Sequence, residues 1–125
     1  MATVAKFVSA GSAIVTALLA ASSVKYVDWG TGTDAAAATD TALQTPGGES
    51  RTSGTQTQQD TDHTDDTYQV VGEITCAGAG KAITEAGLFD ASSDGNLYFR
   101  STFSAINVDV GDKIAFTIKV KHDHS

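Results

Sequence analysis

The sequence predicts a mainly β protein: a small antiparallel β-sandwich or barrel-like sheet carrying a short N-terminal helix. Three observations lead there. Apolar and polar residues alternate strictly near the C-terminus, where Ile114, Phe116, Ile118 and Val120 interleave with Lys113, Ala115, Thr117, Lys119 and Lys121. Side chains alternate across a strand, so such a stretch has one apolar and one wet face. The chain holds 12 glycines and a single proline, the balance of a turn-rich β protein. One stretch near the N-terminus instead spaces its apolar residues by three and four, the period of a helix.

Taken in order, residues 1–8 read as a loosely structured N-terminal arm and 9–125 as a single β-rich domain, since 125 residues suffice for one modest core. Over 9–22, Phe7, Gly11, Ile14, Leu18 and Ala21 line one side of a predicted helix that docks on the core, with Ser9 or Ser12 as its N-cap. The same residues also mimic a secretory signal peptide: Lys6, an apolar run to Ala20, then Ala21-Ser22-Ser23. The run is too short and too interrupted for a membrane span. Val24 to Trp29 predicts a strand, and Gly30-Thr-Gly-Thr33 ends it.

Composition then changes. From Asp34 to Asp66 Thr, Ser, Gln, Asp and Gly dominate, and the acids Asp34, Asp40, Glu49, Asp60, Asp62, Asp65 and Asp66 face Arg51 alone. Such a segment cannot bury a core of its own. Asp34 to Thr41, with its clustered alanines, predicts a short helical turn, and a polar acidic insertion occupies about 46–66. Within it, the Thr residues between Arg51 and Gln59 favour an exposed or edge strand, against the alternative of a disordered loop.

Order returns at Thr67 to Cys76, where Tyr68, Val70, Gly72, Ile74 and Cys76 share a face. Three further segments, Ala82–Phe89, the stretch carrying Leu97, Phe99 and Phe103, and Lys113–Val120, predict a β-meander. Asp/Gly/Ser-rich turns join them at 90–95 and 107–112.

Chemistry is sparse. A net charge of −7 and a pI near 4.6 argue against a nucleic-acid partner, whose phosphates would repel the chain. Cys76 is the single cysteine, so no intrachain disulfide forms. Gly30-Thr-Gly-Thr33 lacks the third glycine of a dinucleotide fingerprint and suits a tight turn. Asp60-Thr-Asp62-His63-Thr-Asp65-Asp66 offers oxygen ligands for Ca²⁺ but lacks the glycine and closing glutamate of an EF-hand, so a solvated acidic loop is its default role. His122-Asp-His124 is an exposed tail rather than a closed metal shell. Glu85, inside an apolar stretch, is expected to pair with Arg100 or to accept backbone hydrogen bonds; the alternative is a catalytic acid whose pKa burial raises. The chain reads as a non-enzyme with no cofactor, no metal site and no membrane partner.

Several motifs resemble a known group. Val27-Asp-Trp-Gly-Thr-Gly-Thr33, the Thr39-Asp-Thr-Ala-Leu43 run, Glu49-Ser-Arg51, Ala82-Ile-Thr-Glu-Ala-Gly-Leu-Phe-Asp90, and Leu97, Arg100 and Phe103 occur in the order found in virion proteins of tailed bacteriophages. The resemblance runs from about Phe7 to Val120 and departs in the long polar insertion between Pro46 and Tyr68. It implies that the N-terminal helix belongs to the folded module. It also implies a structural role: a capsid decoration (cement) protein, a homotrimer binding the major capsid protein on the outside of the head, located on the virion. A tail or tail-fibre component is the alternative, and a secreted Ca²⁺-binding adhesin-like domain a third reading. Phe7, Ile14, Leu18, Trp29, Arg51, Glu85 and Arg100 are the candidate structural or interface residues.

Overall fold

The computed structural model describes Ala5 and residues 7–122. Its elements are α1 (Ser9–Ala21), β1 (Tyr26–Gly30), β2 (Thr52–Ser53), β3 (Thr55–Gln59), β4 (Thr67–Thr75), β5 (Lys81–Phe89), β6 (Leu97–Val108) and β7 (Lys113–Lys121). The strands form two sheets, a four-stranded one in the order β2-β1-β5-β6 and a three-stranded one in the order β3-β4-β7. All pairings are antiparallel. The sheets pack face to face as a small sandwich, the predicted fold class. Val27 and Trp29 of β1, Tyr68, Val70 and Ile74 of β4, and Ile83 and Leu88 of β5 fill the space between them, with Cys76 and Val108.

The predicted meander is corrected. β5 and β6 do form a hairpin, but β7 leaves that sheet and pairs with β4 over its whole length, from Thr67 opposite Lys121 to Thr75 opposite Lys113. The turn after β6 is pinned to the end of β4, where the Cys76 N–H donates to the Asp112 carbonyl (2.8 Å) and Gly111 N–H to that of Cys76 (2.9 Å). Alternation tells which face of a strand is apolar; it says nothing about its neighbour. The register of β6 against β5 shifts twice: two extra residues of β6 are accommodated between the Ile83–Ile106 and Glu85–Thr102 pairs, and one between the Leu88–Phe99 and Phe89–Leu97 pairs, which puts Leu97 and Phe99 on different faces rather than one.

The polar insertion is part of the framework. Thr52–Ser53 and Thr55–Gln59 are the outer strands of the two sheets, which bears out the edge-strand reading. Between them the chain steps from one sheet to the other at Gly54, whose N–H bonds the Lys25 carbonyl (2.8 Å). A Cβ at Gly54 would lie 2.3 Å from Val70 Cγ1, so only glycine lets the crossing strand lie this close to β4. No helical turn forms at Asp34–Thr41; a single turn bonds Asp40 N–H to Ala37 C=O, and Asp40 Oδ2 accepts from the Ala37 N–H. The strand before the Gly30 turn starts at Tyr26, and Val24 is exposed.

The helix forms over the predicted residues with the opposite face inward. Ser12 and Thr16 are buried, Leu19 and Ala20 pack on the core, and Ile14 and Leu18 are 62% and 67% exposed. The reason is polar. Thr16 Oγ1 donates to the Asp65 carbonyl (2.6 Å) and accepts from Gln58 Nε2 (2.9 Å), which also donates to the Ala13 carbonyl (2.9 Å). Gln56 Nε2 reaches the Ser22 carbonyl (3.0 Å). The glutamines of β3 therefore hold α1 by its small polar side. The N-cap is Val8, which makes no side-chain capping bond, rather than Ser9 or Ser12. Of the arm, residues 1–4 and 6 lie outside the described residues, as does His124 of the tail; the Phe7 ring meets His122 edge-on at 4.3 Å.

Thr16→Val is expected to cost about 1 kcal/mol, because the half-buried Asp65 carbonyl loses its donor and the Gln58 amide one of its two acceptors. Ile14→Ser should change stability by no more than about 0.5 kcal/mol, as an exposed site does. Urea unfolding of both variants checks the pair; a larger loss for Ile14→Ser than for Thr16→Val would mean that Ile14, not Thr16, faces the core.

Candidate assembly surfaces

Four of the seven candidate residues turn inward. Glu85 is fully buried in β5. Its Oε2 accepts from the N–H groups of Gly32 (2.8 Å) and Thr45 (2.8 Å), and its Oε1 from the Gln44 N–H (2.9 Å) and Arg100 Nε (2.9 Å). Both halves of the sequence expectation hold: Glu85 pairs with Arg100 and accepts backbone hydrogen bonds. The Arg100 guanidinium continues outward, Nη1 to Asp40 Oδ2 (2.9 Å) and Nη2 to the Asp34 carbonyl (3.0 Å). A Cβ at Gly32 would sit 2.3 Å from Glu85 Oε2, so a glycine is needed for the backbone to reach the carboxylate.

The electrostatics oppose acid catalysis. Burial pushes Glu85 up, but the Thr45 and Gln44 amides, Arg100 and the Gly32 amide outweigh it and hold the carboxyl below its ordinary value. Its donors already engage both oxygens, leaving it no proton to give at neutral pH and no free face for a substrate.

Trp29 and Arg51 serve similar local ends. Buried Trp29 donates Nε1–H to Glu49 Oε1 (2.7 Å), and Glu49 Oε2 receives Lys81 Nζ (2.5 Å) and the Ala77 N–H (3.0 Å). Against the penalty of burial, these donors bring the Glu49 pKa down to about 2. Arg51 Cζ lies over the Phe89 ring, 3.5 Å from its centroid, and the side chain donates to the Ala91 (2.9 Å) and Asp94 (2.7 Å) carbonyls, tying the β5–β6 turn to the edge of the sheet. Asp28 stands 3.5 Å from Arg51 Nε, yet burial still leaves its carboxyl raised.

The acidic 60–66 loop is also internally engaged. Asp66 accepts from the Thr61, Asp62 and His63 N–H groups, and Asp60 from that of Asp65. These are turn-closing bonds, and among the described residues no group of three or more His, Cys, Asp or Glu side chains is placed to hold a metal ion.

Two apolar surfaces remain open. The first is the outer side of α1, where Ile14 and Leu18 line up with Phe7 (45% exposed) and Val8 (67% exposed). The second escaped the sequence reading. β6 and β7 are each the outermost strand of their sheet, and a cleft of about 400 Å³ opens between them, lined by Phe99, Phe103, Phe116, Ile118 and Val120. Alternation placed these side chains on a core face, but only the sheet order shows that no strand bridges β6 and β7 to close it.

Comparison with protein-family models, with curated proteins and with solved structures finds no match for the chain.

Arg100→Met should destabilise the fold by about 3–5 kcal/mol, because it strips the buried Glu85 of its counter-charge. Acid should act in the same direction. Glu49 and Glu85 have depressed pKa values, so their contribution is fully present above the ordinary carboxylate range and is lost as pH falls, for Glu49 toward about 2. Thermal melts from pH 7 to 2.5 should show a falling midpoint below about pH 4.5, with a shallower fall in Glu49→Gln. A flat profile would contradict the assignment.

Proposed function

We propose that the chain is a non-enzymatic structural protein of a virion: a capsid decoration (cement) protein that binds the major capsid protein on the outside of the head shell and associates with copies of itself as a trimer. One observation carries the assembly part of this reading: α1 turns Ile14 and Leu18 to solvent while burying Ser12 and Thr16. A helix that turns two large aliphatic residues outward while hydrogen bonds help secure its inner side is suited to meet another surface. The motifs shared with tailed-phage virion proteins supply the setting. The buried carboxylates support it as well, because the groups that would serve catalysis are instead committed to holding loops in place.

The net charge of −7 suits a protein displayed in many copies on a particle, where like charge keeps particles apart. It also disfavours the packaged nucleic acid as a partner.

Copy number and position in purified particles, by quantitative gel and cryo-electron microscopy, test the proposal. Hundreds of copies in a trimeric arrangement over the head are expected, and Leu18→Asp should lower occupancy at least tenfold while the purified variant melts within a few degrees of the parent. A few copies at the tail would replace this reading with the tail-fibre one. Absence from particles, together with an intact mass lacking the residues up to about Ala20 and a melting point raised by Ca²⁺, would replace it with the adhesin one.

A further inference from the structure

We infer that residues 31–46 form a strap that lifts from β5 in one piece while the sandwich beneath stays closed. The strap is a property of the single chain and does not depend on the assembly reading above. Three features of the segment carry it: a closed neck, internal clips and a shared latch.

At the neck, Gly30 and Pro46 bridge to each other. Beside them the Thr31 N–H donates to the Thr45 carbonyl (2.9 Å) and the Gly47 N–H to that of Trp29 (2.9 Å). The ends of the segment thus lie side by side, the arrangement of an Ω-loop. What lies between them can move while β1 keeps its pairing with β5.

The clips hold the segment to itself. Asp34 N–H donates to Gln44 Oε1 (2.9 Å) and Gln44 Nε2 to Asp34 Oδ2 (3.0 Å), which joins the two limbs. Nearer the tip, the Ala37 N–H donates to Asp40 Oδ2 (2.8 Å) and the Asp40 N–H to the Ala37 carbonyl (3.0 Å). These bonds travel with the segment, so it moves without unravelling.

The latch is Glu85, which accepts from the Gly32, Gln44 and Thr45 amides together. Thr84 Oγ1 adds a bond to the Gly32 carbonyl (2.6 Å), and Arg100 reaches Asp40 and the Asp34 carbonyl. Apolar attachment is small by comparison. Among the described residues of the segment only Gly32 and Leu43 are buried, and the side chains that fill the space between the sheets all come from elsewhere. Leu43 is a peg in a glycine socket: a Cβ at Gly87 would lie 2.9 Å from Leu43 Cδ2 and 3.1 Å from Leu97 Cδ1. A segment with so few buried apolar contacts opens at lower free energy than the strands under it. Once lifted, it bares the Gly87 socket beside the Glu85–Arg100 pair.

Amide hydrogen exchange of the full chain, followed residue by residue by NMR at neutral pH in rising, sub-denaturing urea, tests the strap. The Gly32, Gln44 and Thr45 amides should share one protection, agreeing within about threefold and at least about 100-fold below the most protected amides of β4, which pairs on both sides. Urea should change their exchange little while accelerating that of β4, because lifting the strap exposes little surface. Leu43→Ala should speed all three by at least about tenfold, because the peg is part of what lifts. Leu43→Val, with a smaller factor, takes its place should the alanine variant fail to fold. Three amides as protected as β4, with the same urea dependence, would mean that the segment opens only with the whole fold and would overturn the inference. Unrelated protections would overturn it because the segment then frays piecewise, and absent protection because it is then not latched. Exchange unmoved by the Leu43 variant would overturn it as well, since opening would leave the peg in place.

Discussion

The Glu85 carboxylate is the constraint around which this fold is arranged. β5 lies inside the four-stranded sheet, and the segment from Thr31 to Pro46 has no regular structure with which to satisfy its own backbone. Unpaired amides are costly wherever water cannot reach them. Glu85 resolves this by accepting from Gly32, Gln44 and Thr45, gathering both ends of the loop onto one side chain. Arg100 on the neighbouring strand balances the charge and extends the network to Asp40 and the Asp34 carbonyl. One ion pair thus sets the course of a loop whose apolar residues are alanines and a proline apart from Leu43, which is itself buried.

The same device recurs. Glu49 collects Trp29, Lys81 and Ala77, and Asp66 closes the turn before β4. In a small sandwich with little apolar area to bury, charge-assisted hydrogen bonds do much of the work of fixing long connections. This explains how an acidic chain can be ordered without metal ions or disulfides being invoked: its carboxylates accept from its own amides. Such pairs stabilise little relative to an apolar replacement, but they are unforgiving of partial loss, which favours one loop conformation over its alternatives.

The division between inside and outside is equally consequential for assembly. Polar anchoring of α1 through Thr16, Gln56 and Gln58 leaves Ile14 and Leu18 exposed while Leu19 and Ala20 pack on the core. The β6 and β7 edges leave the sandwich unclosed on another flank, with phenylalanines and Ile118 in view. A stable monomer rarely leaves two such surfaces open, so each is a candidate contact surface.

The sequence by itself determined the elements and the chemistry of their faces. Period-two alternation in 68–76 and 113–121 marks strands because a strand must turn every second side chain to the core, and the structure places them there. The Glu85–Arg100 pair was legible too, since a carboxylate in an apolar strand requires a partner and a guanidinium lies on the next strand. Tertiary structure alone decided which strands are neighbours and which side of α1 faces in. Pairing of β7 with β4 depends on a turn pinned to Cys76, a contact far apart in sequence. The helix spacing was read correctly, but its apolar side was assigned to the core because burial of aliphatic area is the usual driving force. Here Gln58 and the Asp65 backbone carbonyl, on distant segments, offered Thr16 partners that only the folded chain brings within reach, and their hydrogen bonds reversed the helix.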